Sequence, residues 1–145
     1  MSNILEQLQY TPSGRLKMLS WDQIKEMQRT NISIGAHTMT HPVLSQMPID
    51  AAKKEITDSK EILENHTKTT IKHFAFPFGA KEDFTPELKE YCKKISFDNV
   101  LTAEYGINTK NSDIYALKRL SPAKNLPLFC FALLRGFIHN GKNKN

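Results

Sequence analysis

His37 and His41 stand four residues apart in Gly35-Ala36-His37-Thr38-Met39-Thr40-His41-Pro42, where a short apolar alternation ends. Neutral imidazole is the commonest side-chain ligand for zinc and similar divalent ions, and one helical turn between the two rings would bring both to one side. Binding of a divalent cation is the chemistry that this pair of residue types at this spacing could do. The same pattern also fits a turn with two histidines and no ligand, so the pair alone does not decide the chemistry.

The elements around the pair define its setting. Ile32, Ile34 and Ala36 alternate with Ser33 and Gly35, which predicts a short, half-buried strand with the histidines at its carboxyl end. Pro42 disfavours the α conformation at His41, so the site is expected in a loop or single turn. After a connection over Val43 to Pro48, Asp50 is expected to cap a helix reaching about Asn65. Ala52, Ile56, Ser59 and Leu63 form its apolar stripe, and its lysines and glutamates are assigned to solvent with no functional role. His66, at the carboxyl end of that helix, complements the dipole and is read as structural.

Ile71 to Phe76 predicts a second strand, running into Phe76-Pro77-Phe78-Gly79. Thr85 as N-cap and Pro86 at the first helical position open a helix with Leu88, Tyr91, Cys92 and Ile95 at helical spacing. Phe97 to Ala103 gives a third strand. Upstream, residues 1–18 are weakly patterned, with a turn at Thr11-Pro12-Ser13-Gly14. Ser20 and Gln23 then form a capping box, and Leu19 with Ile24 a hydrophobic staple, for a helix running to Arg29. Trp21, Ile24 and Met27 share its buried face.

Strand, helix, strand, helix, strand with crossovers of this length predicts three parallel strands. Ligands of parallel α/β sheets bind beyond the carboxyl ends of the strands. His37 with His41, Pro77 to Gly79, and Thr102 to Glu104 all follow strand ends, so they are expected to meet on one face.

The chain has 145 residues, enough for one domain but short for a complete α/β barrel, which needs about 200 or more. Its net charge of +5 comes from 20 basic and 15 acidic residues spread along the sequence, with a dense basic tract only at Gly141 to Asn145. That distribution describes a solvated surface and gives no nucleic-acid groove. Cys92 and Cys130 lie far apart in apolar, helical contexts and are expected to be reduced core residues. Leu126 to Ile138 is apolar nearly all round and too short to span a bilayer. Docking on the barrel, on another chain or at a membrane surface would each satisfy it. The first twenty residues contain no long apolar run, so neither a secretory signal nor a transmembrane helix is expected there. Cytoplasmic and cell-envelope locations both stay open.

Gly35-Ala36-His37-Thr38-Met39-Thr40-His41 resembles the His-Ser/Thr-x-x-His motif of the polysaccharide deacetylase (NodB-homology) domain, carbohydrate esterase family four. Phe74-Ala75-Phe76-Pro77-Phe78-Gly79, on the next strand end, resembles the Phe-Ala-Tyr-Pro-Tyr-Gly segment of many members. Two such motifs on successive strand ends are more specific than either alone. Gly106 to Thr109 and Ala116 to Leu120 resemble the closing part of the domain, so the likeness runs from about residue 19 to residue 122.

The resemblance implies an incomplete (β/α) barrel of the polysaccharide deacetylase type, with residues 123–145 outside it. It implies a hydrolase that removes N-acetyl groups from amino-sugar polymers, a carbon-nitrogen amide cleavage using a divalent metal, most commonly zinc. His37 and His41 become metal ligands, Phe76, Pro77, Phe78 and Gly79 wall the substrate groove, and the Phe78 backbone N–H faces the oxyanion. Relatives with a Leu-x-His motif place a general-acid histidine where this chain has Arg119, which cannot release a proton at neutral pH. Arg119 is left to orient a carboxylate or bind substrate, or to be structural.

The family also takes its base and third metal ligand from an Asp-Asp pair, and no such pair occurs in this sequence. A truncated reading frame, a second chain or missing N-terminal part that completes the barrel, and a degenerate protein each account for that, and truncation is expected. The alternative function is a non-catalytic glycan-binding or assembly fragment of the same fold. Asp83, Asp98 and Asp113 are the available substitute carboxylates, with Asp83 expected in a solvated loop.

Overall fold

The structure is a computed structural model that describes residues 18–120 and 125–141. The chain divides into two compact units between Ile32 and Ser33. In the first, helix α1 spans Trp21–Arg29. Its capping box is formed: the Gln23 N–H donates to the Ser20 hydroxyl at 3.2 Å, and the Ser20 N–H donates to Gln23 Oε1 at 2.8 Å. Trp21, Ile24 and Met27 share one half-buried face.

The second unit holds α2 (Ile49–Thr67), β1 (His73–Ala75), α3 (Pro86–Lys94), β2 (Asn99–Tyr105), β3 (Leu117–Arg119) and α4 (Leu126–Gly141). The three strands form one parallel sheet in the order β1-β2-β3, with Phe74 opposite Val100 and Leu101 opposite Leu117. The predicted first strand contracts to one parallel bridge, Ala36 with Phe74. Ala36 donates to the His73 carbonyl at 2.8 Å and accepts from the Ala75 N–H at 3.0 Å. Ile32, at the predicted start of that strand, is 45% exposed. Gly35 permits the approach, because a Cβ there would lie 3.0 Å from the His73 oxygen.

Both crossover helices bury the stripe their periodicity predicts. Ala52, Ile56 and Ser59 of α2 and Leu88 and Cys92 of α3 are buried. Thr85 caps α3 and Pro86 opens it, whereas α2 begins after Pro48, so Asp50 sits in the first turn rather than at the cap. Phe74 fills the space beneath, edge-on to Phe76 at 5.3 Å and tilted against Phe97 at 5.4 Å. Removing such a ring from a packed core costs about 3–5 kcal/mol. These contacts fix the carboxyl ends of Ala36 and β1 side by side.

β3 lies beyond the strands that periodicity identified. It reaches the sheet without a crossover helix: the Asn108 amide donates to the Lys118 carbonyl at 2.9 Å and accepts the Lys118 N–H at 3.0 Å. A side chain thereby substitutes for a neighbouring strand, which no hydrophobic pattern reports. Cys92 is a buried free thiol as expected, but Cys130 is a free thiol on the exposed surface of α4. The apolar residues around it, among them Leu128 and Phe131, are themselves uncovered, so its sequence context did not report burial.

Candidate metal centre

His37 and His41 follow the Ala36 bridge directly, and their rings meet edge to face with centroids 4.8 Å apart. The His37 ring is oriented by its Nδ1, 2.7 Å from the Ala75 carbonyl oxygen at the end of β1. A carbonyl oxygen only accepts, so Nδ1 carries the hydrogen, and in the neutral ring Nε2 keeps its lone pair. Metal-ligating histidines are oriented in this way, by a bond from the other ring nitrogen. The donor set therefore fits a divalent cation as far as two imidazoles can.

The segment between the histidines is tightly specified. Thr38 and His41 both have positive φ, 64° and 58°. A β-branched threonine is a genuine outlier there, at a cost of about 1–3 kcal/mol for each such residue. The Thr38 hydroxyl accepts the His41 N–H at 3.1 Å. Glu55, from α2, closes over the loop: Oε2 accepts the Met39 and Thr40 N–H groups at 2.8 and 2.9 Å, and Oε1 accepts the Thr40 hydroxyl at 2.8 Å. Burial pushes the Glu55 carboxyl up, but these three donors outweigh it and hold it below the ordinary carboxylate range.

Glu55 corrects the assignment of the α2 charges to solvent. The sequence carried a signal for it, since Ala52, Glu55, Ile56 and Ser59 follow helical spacing and place one carboxylate within the buried stripe. A charge at such a position has a partner.

The aromatic segment meets the pair from β1. The Gly79 N–H donates to the Pro77 carbonyl at 2.5 Å, closing a three-residue turn around Phe78, whose φ is 56°. Gly79 has φ 75°, and a Cβ there would come within 2.7 Å of the Ala103 nitrogen, so only glycine fits against β2. The turn throws the Phe78 ring outward, 57% exposed and edge-on to His41 at 4.8 Å. Phe76 is fully buried, stacked on Phe84 at 4.2 Å, and Pro77 and Gly79 are buried beside it. From this segment Phe78 alone presents its side chain to the rim, while Phe76, Pro77 and Gly79 support it from below. Among the described residues the Phe78 N–H has no acceptor.

Arg119 ends β3, at the same carboxyl edge, and its Nε donates to the Thr102 carbonyl at 2.5 Å. Among the described residues no hydrogen bond or ring contact joins it to His37, His41 or Phe78. The substitute carboxylates are engaged elsewhere. Asp83 accepts the Ala80 N–H at 2.8 Å, Asp98 pairs with Lys72 at 3.3 Å, and Asp113 accepts from Lys89 and from the Tyr115 N–H. Among the described residues no group of three histidine, cysteine or carboxylate side chains is placed to hold a metal.

A parallel sheet with an imidazole pair and an aromatic turn at its carboxyl rim defines an α/β protein with a candidate site at the strand ends. The sequence pattern of the family Polysaccharide deacetylase matches residues 4–100, and the chain belongs to that family. The match takes in residues 4–18, which their own patterning left unassigned, and stops before Arg119. The chain is 30% identical over 109 residues to the Bacillus subtilis (strain 168) protein "Putative polysaccharide deacetylase YxkH", covering 74% of this chain and 37% of that one.

Among solved structures, Streptococcus pyogenes deacetylase PplD in complex with acetate shares the fold with a TM-score of 0.73 at 23% identity, over 91% of this chain and 54% of that one. BC0361, a polysaccharide deacetylase from Bacillus cereus, is similar with a TM-score of 0.59 at 30% identity, over 70% of this chain and 31% of that one. The chain thus spans from about a third to about half of these relatives. Its described residues form part of the (β/α) barrel of the polysaccharide deacetylase type.

Proposed function

We propose that the chain is the histidine-bearing part of a metal-dependent polysaccharide N-deacetylase, in which His37 and His41 hold a divalent cation, zinc before others. The observation that carries this is the Nδ1 contact from His37 to the Ala75 carbonyl, which leaves Nε2 available beside His41. The cation, when bound, would supply Lewis acidity toward an acetamido carbonyl and a water molecule. His37 offers Nε2, and the His41 ring lies edge to face with the His37 ring at a centroid separation of 4.8 Å. The Phe78 N–H, which has no acceptor among the described residues, suits an oxyanion, the exposed Phe78 ring offers a sugar-facing surface, and the buried Phe76-Pro77-Gly79 frame keeps both in place. Arg119 is a candidate for binding a substrate or orienting a carboxylate, and not for donating a proton.

Asp83, Asp98 and Asp113 are each held by other partners, and among the described residues no third ligand joins the two histidines. We assign the roles of base and third ligand to an Asp pair supplied from outside these 145 residues, by a missing N-terminal part of the barrel or by another chain. An N-acetylated glycan is the substrate class.

Zinc titration followed by calorimetry tests the site. Weak binding is expected, abolished by His37→Ala and by His41→Ala, and no uptake by the unsubstituted chain would refute the metal centre. Acetate release from an acetylated chito-oligosaccharide is expected to be negligible for these residues alone. Robust release that disappears in His41→Ala would overturn the assignment of the base to an outside segment. The alternative, a non-catalytic glycan-binding fragment, draws on the exposed Phe78 ring and predicts oligosaccharide binding that survives His37→Ala.

A further inference from the structure

We infer that Glu55 is the positioning residue of the candidate metal centre, resting on the proposal that His37 and His41 hold a cation. It works through the loop and touches neither ring. Met39 and Thr40 are the central residues of the segment that joins the two histidines, and Glu55 fixes both through two N–H groups and one hydroxyl. The flanking residues Thr38 and His41 are in the left-handed region, a conformation that lasts only where surrounding contacts over-determine it.

The loop makes one contact of its own toward this end, from the His41 N–H to the Thr38 hydroxyl. The His41 ring also rests edge-on against Phe78, and the restraint on the Met39 and Thr40 backbone comes from α2, whose Ala52, Ile56 and Ser59 are buried in the unit. Glu55 is therefore anchored on a rigid element, and its two oxygens set where the chain turns between the rings. The 4.8 Å separation of the imidazole centroids is a consequence of that turn. His37 is held independently, by the Ala75 carbonyl, so release of Glu55 would free His41 in particular.

Geometry, rather than charge, is what Glu55 supplies. A glutamine in the same place could accept both N–H groups with its carbonyl oxygen and donate its amide to the Thr40 hydroxyl. Glu55→Ala, Glu55→Gln and Thr40→Val separate these contributions. The zinc dissociation constant is measured by competition with a chromogenic chelator, well below each variant's melting temperature, and Met39 and Thr40 amide exchange by NMR.

Glu55→Ala is expected to weaken zinc binding by about 10-fold or more, as outer contacts to metal ligands typically do, and to deprotect both amides. Glu55→Gln is expected to restore both to near the original values, and Thr40→Val, which removes only the hydroxyl contact, to fall between. A Glu55→Ala chain that melts earlier but binds zinc as before, with both amides still protected, would overturn the inference. Should Glu55→Ala not fold, Thr40→Val binding unchanged together with Glu55→Gln binding lost would overturn it instead. If the unsubstituted chain takes up no zinc, the metal proposal fails separately, and equal amide exchange with and without the Glu55 carboxylate would then dispose of the clamp.

Discussion

Phe78 and Cys130 illustrate how residue type and residue role part company. Phenylalanine is ordinarily a core residue, yet Phe78 is exposed because a positive φ and the Pro77-to-Gly79 hydrogen bond turn its ring outward. Three of the positive-φ residues, Asn31, Lys68 and Ser96, lie just past helix ends, where that conformation is routine. Thr38, His41 and Phe78 are not at helix ends and gather at one rim. The two thiols differ as sharply. Burial pushes Cys92 up to about 12, whereas Cys130 lies open on α4. A thiolate reagent at pH 8 is expected to label Cys130 fully and leave Cys92 unmodified in the folded chain. Mass spectrometry of the labelled peptides would decide it, and rapid modification of Cys92 would contradict its burial on the inner face of α3.

At the scale of elements, each helix that carries the sheet is locally specified, and the connection to β3 is specified by side chains. Asp113 organises that connection, accepting the Tyr115 N–H at 2.8 Å and pairing with Lys89 of α3. The Lys89 ammonium, aided by the Tyr115 N–H, outweighs burial and holds the Asp113 carboxyl below its usual range. Its folded-state value being depressed, its stabilising contribution is present above the unfolded value, about 3.9, and is lost as the pH falls through the folded one. Asp113→Asn should therefore lower stability at pH 7 by a few tenths to about 1 kcal/mol, since both partners are partly exposed. The difference from the unsubstituted chain should shrink in urea melts as the pH falls below about 3.9. A deficit that stays constant with pH would mean the carboxylate charge is not what matters.

For the molecule as a whole, the second unit has a buried core and, on α4, several apolar side chains that are exposed. Phe74, Phe76, Phe97, Ile56 and Leu88 are buried, while Phe131 of α4 is 63% exposed and Leu126, Leu128 and Leu134 are open as well. Among the described residues no helix is long and apolar enough to cross a membrane. Leu128→Lys with Phe131→Lys should leave the unfolding free energy from urea melts within about 0.5 kcal/mol of the original, because exposed side chains contribute little to folding. The same pair should reduce binding of a hydrophobic dye and any self-association seen by sedimentation. A large loss of stability would show instead that α4 packs in the folded chain.

The sequence by itself determined the elements whose causes are local. Ser20 with Gln23, Thr85 with Pro86, and the Ala52-Ile56-Ser59 stripe act within a turn or two of helix, so their effects can be derived from spacing alone. The parallel order followed from crossover length, and the placing of His37 and His41 at a strand end from the point where alternation stops. Only the tertiary structure decided what depends on distant partners: the Ala75 carbonyl that fixes the His37 tautomer, the Glu55 carboxylate that holds Met39 and Thr40, and the reduction of the first strand to one bridge at Ala36. Those contacts join residues far apart in the chain, and a hydrogen bond of that kind leaves no period in the sequence. Burial divided Phe76 from Phe78 for the same reason, since two identical side chains one proline apart differ only in which way the backbone turns.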